Sequence, residues 1–225
     1  MEFFVALFSI MMVNIVLSGD NAVVIAMASR CLPQKQQKMA ILWGSAGAIG
    51  LRVLLTLVAV VLLQIPYVQF IGGVLLVWIA AKLLLEEPQD ECIEASEALW
   101  PAVKTIIIAD VVMSLDNTLA IAAVAQGDYV LLGLGLVLSI PLIIFGSQII
   151  VKIMDKYPIV VYAGAALIAW TAGEMIIRDQ QLGPVLLQYL HHYVVPMVIT
   201  LGVVSAGAYT QYARKLRRVN EEELV

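Results

Sequence analysis

Charged residues are scarce in this sequence. Asp, Glu, Lys and Arg make up 13% of its 225 residues, whereas hydrophobic residues make up 62%. Soluble domains carry about a quarter charged residues and about half apolar ones. A soluble core of this size could not hide so much apolar surface, and the mean hydropathy of +0.95 points the same way. The composition therefore excludes an ordinary soluble domain and predicts an integral membrane protein.

Cysteine and histidine are equally rare. Cys31 and Cys92 lack the CxxC spacing of a redox or zinc site, so we expect reduced thiols. His191 and His192 are adjacent and would point about 100° apart on a helix, which does not suit a shared metal ion. The sequence also shows no nucleotide-binding loop, no Ser/His/Asp set and no basic stripe with interleaved aromatics. We therefore expect no enzyme and no nucleic-acid partner.

Long apolar runs are what the sequence does contain. A helix needs about 20 apolar residues to cross a bilayer. On that rule the chain predicts seven transmembrane helices, near 3–29, 39–63, 67–86, 102–125, 129–151, 158–178 and 193–213. Pro66, Pro101, Pro158 and Pro184 are predicted to lie in the intervening turns, where a missing N–H costs least. Pro141 falls inside the fifth segment and is expected to kink it.

The basic residues predict the orientation in the cell membrane, because cytosolic loops carry the excess of Lys and Arg. With the N-terminus outside, eleven basic residues lie inside: Arg30, Lys35, Lys38, Lys82, Lys104, Lys152, Lys156, Arg214, Lys215, Arg217 and Arg218. Only Arg178 lies in an outer loop. The same topology places the acidic stretch 86–97 in the cytosol, either as a solvated linker or as a place that gathers divalent ions.

The chain contains an internal repeat. A shift of 96 residues places Asn14, Ser18, Asp20 and Asn21 on Asp110, Ser114, Asp116 and Asn117. The register continues in the second segments (Gly50 on Gly146, Arg52 on Gln148) and, after a four-residue slip, in the third (Gly72, Trp78 and Lys82 on Gly164, Trp170 and Glu174). A unit of three spans must enter the membrane from opposite faces in its two copies. We therefore predict an all-α membrane protein of two inverted three-helix repeats plus a seventh helix.

These boundaries predict one transmembrane domain over residues 1–225. It consists of repeat one (3–86), a cytosolic loop (87–101), repeat two (102–178), an extra helix (193–213) and a cytosolic tail (214–225).

Three carboxylates are predicted to lie near the bilayer centre: Asp20, Asp110 and Asp116. An ionised group at the bilayer centre costs about 2.5–3.5 kcal/mol, so each must be paired, protonated or bound to a cation. Arg52 is the one deep positive charge, and we expect it to be the counter-ion of Asp20 or Asp116. At least one carboxylate is left for a cation. The alternative is that these acids only join helices by hydrogen bonds.

Helical spacing places the polar residues of each copy together. Asn14, Ser18 and Asn21 form one stripe, as do Asp110, Ser114 and Asn117, while Asp20 and Asp116 lie about 100° to the side. Asp20 can reach its stripe if the helix unwinds locally, and Gly19 permits such a break. In the second copy Leu115 takes the place of Gly19, so a milder distortion is expected there. Gly44, Gly47, Gly50 and Gly146 are predicted to allow close helix contact.

The ligand types indicate the class of cation. Carboxylate, amide and hydroxyl oxygens suit Mn²⁺, Mg²⁺ or Ca²⁺ better than Zn²⁺ or Cu⁺. Met113 is close in sequence and would favour a softer ion such as Mn²⁺, although packing is the commoner role of a methionine. Glu174, late in the sixth segment, is either a gating or proton-carrying acid or an interfacial residue.

The pairing of SGDN with SLDN in a chain of seven spans resembles the TerC family of integral membrane proteins, in particular its short branch associated with metal transport. The resemblance covers nearly the whole chain, from Phe3 to about Arg214. Members of that family are implicated in Mn²⁺ export, in resistance to tellurite or metal stress and in supplying Mn²⁺ to exported enzymes. The resemblance implies that Asp20, Asn21, Asp116 and Asn117 are metal ligands. Asn14 and Asp110 would support them, with further support from Ser18, Ser114 and Arg52.

The expected function is that of a secondary transporter that exports Mn²⁺ in exchange for protons across the lipid bilayer, with Mn²⁺ as cargo and no resident cofactor. The alternative is a membrane scaffold that helps load metal onto secreted proteins without net transport. An amino-acid exporter fits less well, because an acid-rich pocket with one Arg pairs poorly with a zwitterion. The sequence leaves open the choice among Mn²⁺, Ca²⁺ and Mg²⁺, the coupling ion, the direction of flux, homodimer formation and association with the secretion machinery.

Overall fold

A computed structural model describes the backbone of residues 2–62, 65–85, 95–125 and 129–222, with all their regular elements α-helical. Residues 86–94 of the acidic stretch, which include Cys92, lie outside the described residues. Some side chains within the helices are also not described, including those of Asp116 and of residues 95–97. The helices are α1 (Glu2–Leu17), α2 (Gly19–Ser29), α3 (Gln34–Leu62), α4 (Val68–Leu85), α5 (Ala95–Ala125), α6 (Tyr129–Lys156), α7 (Ile159–Arg178), α8 (Leu182–Tyr189) and α9 (Val194–Glu222). The predicted all-α class is confirmed.

Several of these helices are long and apolar enough to cross a membrane. Over the described residues they are α3, α4, α6, α7 and α9, and α1 with α2 forms a sixth, bent candidate. This confirms a multi-pass membrane protein. The described part of α5 does not meet the same criterion, so the seventh span stays a prediction.

The first span is broken where the sequence predicted it. α1 ends at Leu17, α2 begins at Gly19, and their axes meet at 53°. Ser18 between them has φ −108° and ψ 10°, outside the α-helical region. In the second copy, Leu115 lies inside an unbroken α5. Glycine is a poor helix former, so the equivalent position in the first copy yields more easily.

The helices form two groups that meet along a seam. In the larger group, α3 packs along α5, and α6 packs along both α1 and α2. In the smaller group, α4 packs against α7, and α9 packs against both. Contacts between the groups are fewer and run mainly through α4 with α5 and α2 with α7. The break between α1 and α2 therefore lies in the larger group, whose α2 faces α7 across the seam.

The close helix contacts predicted at small residues are found at two of the four glycines. A Cβ added at Gly44 would lie 2.8 Å from Ile106 of α5, and one at Gly47 would lie 2.7 Å from Ile107. Gly50 and Gly146 have no such neighbour within 4 Å, so the prediction is wrong for both. The α3–α5 contact is tight at Gly44 and Gly47 and opens at Gly50, further along α3.

Two of the prolines predicted in turns lie in helices. α5 begins at Ala95, so Pro101 lies inside it, near an exposed helix end where water can satisfy the carbonyl that loses its partner. Pro184 is the third residue of α8, a short helix that the apolar runs did not predict. N–H groups in the first turn of a helix have no intrahelical acceptor, so proline is tolerated there.

The helix ends are held by charged side chains. At one end of the bundle, Arg30 donates to Leu83 O (3.3 Å) and Arg214 donates to Leu85 O (3.0 Å), capping the last carbonyls of α4. At the opposite end, the buried Asp179 carboxylate accepts the N–H of Phe70 at 3.1 Å, in the first turn of α4, and those of Gln181 and Leu182 at 3.0 Å. Asp179 thereby joins the end of α7 to the start of α4.

Gly173 of α7 marks the tightest contact with α9, since an added Cβ would lie 2.4 Å from Pro196 Cα. Backbone cannot move aside as a side chain can, so we expect Gly173→Ala to lower stability by about 1–3 kcal/mol. The matched control is Gly202→Ala on the exposed face of α9, where nothing lies within 4 Å of the new methyl group. Thermal unfolding of the detergent-purified protein should show a lower midpoint for the first variant only. Equal midpoints would contradict this packing.

Candidate metal-ion site

A fully buried guanidinium lies beside the break. Arg52 of α3 has 0% relative exposure. Its Nη2 lies 2.6 Å from Asp110 Oδ1 of α5, and its Nη1 donates to Asn14 Oδ1 (2.6 Å) and Ser18 Oγ (2.8 Å). One side chain thus connects α1, the break, α3 and α5. It also joins the two copies of the repeated motif, since Asn14 and Asp110 are equivalent positions.

The partner of Arg52 differs from the predicted one. The sequence favoured Asp20 or Asp116, whereas the described ion pair is with Asp110. Position on a helical wheel gives a direction around each helix but not the height at which two helices meet, so Asp110 and Asp116 could not be ranked. The second Asp110 oxygen accepts Ser114 Oγ at 3.2 Å. Both carboxylate oxygens are therefore already hydrogen-bonded.

Ser139 of α6 completes this network and was not singled out from the sequence. It accepts a 2.5 Å hydrogen bond from Asn14 Nδ2 and donates to Leu136 O. The available signal was a hydroxyl inside an apolar span, two residues before Pro141. Polar side chains in such spans are rare and usually have a partner.

A cavity of about 470 Å³ opens next to the break. It lies at the seam, since its walls come from α1, α2, α5 and α7. The lining residues are Val16, Leu17, Gly19, Asp20, Met113, Asn117, Leu167, Thr171, Glu174, Met175 and Arg178. Four of the residues predicted for the site or its support, Asp20, Asn117, Met113 and Glu174, thus share one space.

Asp20 is a carboxylate that does not take part in the hydrogen-bond network around Arg52. It lies in the first turn of α2, and its Oδ1 accepts the N–H of Asn21 at 2.9 Å. Among the described residues, the ion pairs are Arg52–Asp110 and Arg178–Glu174, and neither includes Asp20. A carboxylate at this depth without a cationic partner is a place where a metal ion or a proton is favoured.

Asn117 of α5 connects the second motif to the break. Its Nδ2 donates to Leu17 O at 3.0 Å, at the point where α1 ends and its carbonyls lose their intrahelical donors. The amide is thereby oriented, and its oxygen remains as an acceptor for another partner. Asp20, Leu17 O and Asn117 Oδ1 provide oxygens of the type that hard divalent cations bind.

Glu174 and Arg178 lie at the α7 side of the cavity. Glu174 Oε2 accepts a 2.9 Å hydrogen bond from Arg178 Nη2, and Oε1 accepts one of 3.2 Å from Trp170 Nε1. The Glu174 side chain is 28% exposed and that of Arg178 is 53% exposed. Glu174 is thus part of the cavity wall rather than a residue facing lipid alone.

Among the described residues, the other predicted ligands do not line the cavity. Asn21 is 2% exposed, and neither polar atom of its side chain has a hydrogen-bond partner among the described residues. The Asp116 side chain lies outside the described residues. Within the described part of the chain, no three His, Cys, Asp or Glu side chains are grouped as a metal site. His191 and His192 pack on Tyr193, with ring centroids 5.5 and 5.3 Å apart from it.

Comparison with known families decides the identity. The profile described as "Integral membrane protein TerC family" matches residues 1–216. The chain belongs to the TerC family. The resemblance seen in SGDN and SLDN is therefore confirmed over nearly the whole chain.

Relatives of this TerC protein include three membrane proteins of Bacillus subtilis (strain 168). "Uncharacterized membrane protein YjbE" is 41% identical over 95% of this chain and 99% of the relative. "Uncharacterized membrane protein YceF" is 26% identical over 95% of this chain and 84% of the relative. "Uncharacterized membrane protein YkoY" is 26% identical over 69% of this chain and 54% of the relative, so the match spans about half of that protein. No solved structure matches the chain.

The Arg52–Asp110 ion pair should contribute to the free energy of unfolding of this TerC protein. Arg52→Gln leaves a bare buried carboxylate, so we expect a loss of about 3–5 kcal/mol, and Asp110→Asn should cost a similar amount. In the double variant no unpaired charge remains, and it should be more stable than the sum of the two losses predicts. Unfolding of all four proteins in detergent measures the coupling. Arg178→Gln is the control, because its exposed pair contributes at most about 1 kcal/mol. Strictly additive losses would show that the pair is not coupled.

Proposed function

We propose that this protein is a secondary transporter that exports a divalent metal ion, most favourably Mn²⁺, in exchange for protons. The observation that carries the proposal is the position of Asp20. Asp20 has no ion-pair partner among the described residues and lies at a break in a membrane helix. It lines a cavity of about 470 Å³ together with Asn117 and Met113. Transporters place substrate sites at discontinuous helices, where freed carbonyls coordinate cations.

The ligand set supports transport rather than permanent binding. Asp20 and Asp116 would be the charged ligands, and the others would be amide and main-chain carbonyl oxygens, so the site carries less charge than tight calcium or zinc sites, which collect several charged ligands. An ion that must leave on the other side needs a site of moderate strength. Met113 Sδ favours Mn²⁺ over Mg²⁺ and Ca²⁺, which prefer oxygen alone. Asp116 and Asn21 belong to the proposed ligand set from the equivalence of the two motifs, and Asn14 and Asp110 support it through Arg52.

The packing supports two inverted three-helix halves, with α1/α2, α3 and α4 in one and α5, α6 and α7 in the other. The second helix of each half packs along the first helix of the opposite half, α3 on α5 and α6 on α1 and α2. The third helices, α4 and α7, pack against each other. This reciprocal pattern is what a two-fold axis in the membrane plane would produce. In this architecture α5 is a span, which makes seven with α9.

The unequal state of the two motifs supports alternating access. Asn117 donates to Leu17 O at the break of the first copy. By the repeat, Asn21 of the first copy is equivalent to Asn117, and Met113 of the second copy is equivalent to Leu17, so the equivalent contact would run from Asn21 to the main chain of Met113. The Asn21 amide is buried without a described partner, which is costly unless another state satisfies it. In the proposed opposite-facing state, α5 is broken instead and Asn21 reaches its main chain.

The arginines at the end of α4 support the proposed orientation. Arg30 directly follows α2 and Arg214 lies within α9, and both bond to carbonyls at the end of α4. Three chain segments rich in Lys and Arg thus share one face, as the positive-inside rule requires of the cytosolic face. Arg178 and Asp179 lie at the opposite face, so the cavity beside Glu174 opens to the outside.

Flux into liposomes tests the proposed site. With purified protein and a Mn²⁺-sensitive dye inside the vesicles, we expect Asp20→Asn to slow Mn²⁺ entry by about tenfold or more, because it removes the site's anionic ligand while keeping its size. Asp155→Asn is the matched control, since Asp155 is exposed near the end of α6. If the Asp20→Asn variant moved Mn²⁺ as fast as the unsubstituted protein does, Asp20 would not be a ligand of the transported ion. Mn²⁺ binding without any flux in the parent would favour the scaffold function.

The coupling ion has its own test. Carboxylates must be deprotonated to bind metal, so metal and proton compete for the same groups. An acidic vesicle lumen should therefore accelerate Mn²⁺ entry, and equal acidification of both sides should slow it. The comparison needs the same protein and the same Mn²⁺ concentration with and without the pH jump. Identical rates in the two conditions would leave a uniporter.

A further inference from the structure

The outer part of the cavity contains a second carboxylate, Glu174. We propose that Glu174 is a further cation-binding residue, and that Arg178 occupies its carboxylate as a tethered competitor until a divalent ion displaces it. This inference rests on the proposed function, because it concerns the path between Asp20 and the outer face. It assigns Glu174 a contact with the ion and Arg178 control over that contact.

The two oxygens of Glu174 are held in different ways. Oε1 accepts the indole N–H of Trp170, on the same helix one turn earlier and only partly exposed. Oε2 accepts Arg178, whose side chain is 53% exposed and can move into solvent. Trp170 therefore orients the carboxylate, while the partner on Oε2 is exchangeable. An exposed pair at i,i+4 is weak and screened, so a doubly charged ion can displace it.

The cavity provides a continuous path between the two acids. Asp20 and Glu174 line the same space, with Asn117 and Thr171 between α5 and α7 contributing polar side chains to its wall. Arg178 is the last residue of α7, and Glu174 lies about 6 Å deeper along the helix axis. The Glu174–Arg178 pair therefore lies on the proposed path of ions between Asp20 and the outer face.

Charge explains why the competitor is needed. When Arg178 is paired with Glu174, their charges cancel, and the described cavity wall keeps one negative charge, that of Asp20. When Arg178 swings out, two carboxylates face the cavity and match the charge of a divalent ion. A monovalent ion gains less from this exchange, since its attraction to the carboxylate is half as large. The pair therefore favours divalent ions at the outer end of the path.

Equilibrium binding separates this role from an interfacial salt bridge. The probe is Mn²⁺ alone, titrated into the full-length detergent-purified protein and followed by the loss of the free-ion electron paramagnetic resonance signal. We expect Arg178→Gln to bind Mn²⁺ roughly two- to fivefold more tightly, because the competitor is gone. Glu174→Gln should bind about tenfold more weakly, because an anionic ligand is lost. The double variant should behave as Glu174→Gln, because the proposed competition needs that carboxylate.

Conservative variants keep the test independent of folding. Arg178→Lys retains the competing charge and should bind like the parent, and Trp170→Phe should weaken binding less than Glu174→Gln does. Thermal unfolding of each variant shows that it is folded, and Asp155→Asn is the neutral control. Unchanged or weaker binding in Arg178→Gln overturns the proposal, as does unchanged binding in Glu174→Gln.

The failure of this inference is distinguishable from that of the proposed function. If the parent moves Mn²⁺ into liposomes and Asp20→Asn does not, but Arg178→Gln and Glu174→Gln bind as the parent does, only the role of Glu174 is wrong. If the parent binds Mn²⁺ and responds to both substitutions yet shows no flux, the outer site stands and transport is wrong.

Discussion

The buried ion pair between Arg52 and Asp110 is the interaction on which the rest of the structure depends. A guanidinium that is buried away from water needs a negative charge beside it and hydrogen-bond acceptors for most of its N–H groups. Arg52 finds a carboxylate on α5 and two oxygens on the broken first span. These partners fix three helices at one depth. They also hold Ser18 outside helical geometry, so that the break and its freed carbonyls are kept in place.

That pairing also determines which acid remains available. The membrane spans hold more carboxylates than the one buried guanidinium can neutralise. Because Arg52 takes Asp110, Asp20 is left beside the cavity with a main-chain N–H as its partner. This one ion pair thus connects α3 with α5, and it leaves Asp20 without an ion-pair partner among the described residues. Asn117 then links the two halves again by bonding to the last carbonyl of α1.

Much of this arrangement could be predicted from the sequence. Apolar runs gave the long helices, and Gly19 next to Ser18 gave the break, because local propensity decides where a polar span yields. The spacing of Asn14 and Ser18, and of Asp110 and Ser114, correctly placed each pair on one face, as their hydrogen bonds show. The partner of Arg52 could not be predicted, because it depends on how far α3 is shifted along α5. Ser139 was missed for the same reason.

Other features lie beyond any periodic pattern. α8 has eight residues, too few for a membrane span, and its sequence reads as a loop. Asp179 looks like an ordinary acid after a helix, yet it is 2% exposed and bonds to three main-chain N–H groups. Its nearest partner in sequence is two residues away and its furthest, Phe70, is 109 residues away. Only the folded chain brings such distant groups together.

The Asp179 contact has a mechanical consequence. It ties the start of α4 to the end of α7, and separating those ends would strand a desolvated carboxylate and the main-chain donors that it serves. The two helices are therefore joined at that end, and α9 packs against both of them. A wider opening of the cavity beside Glu174 would therefore need α4 and α7 to tilt together, since separating their ends would break this buried contact. Contacts across the seam, where the cavity lies, are fewer than those within each group, so such a tilt would take place there.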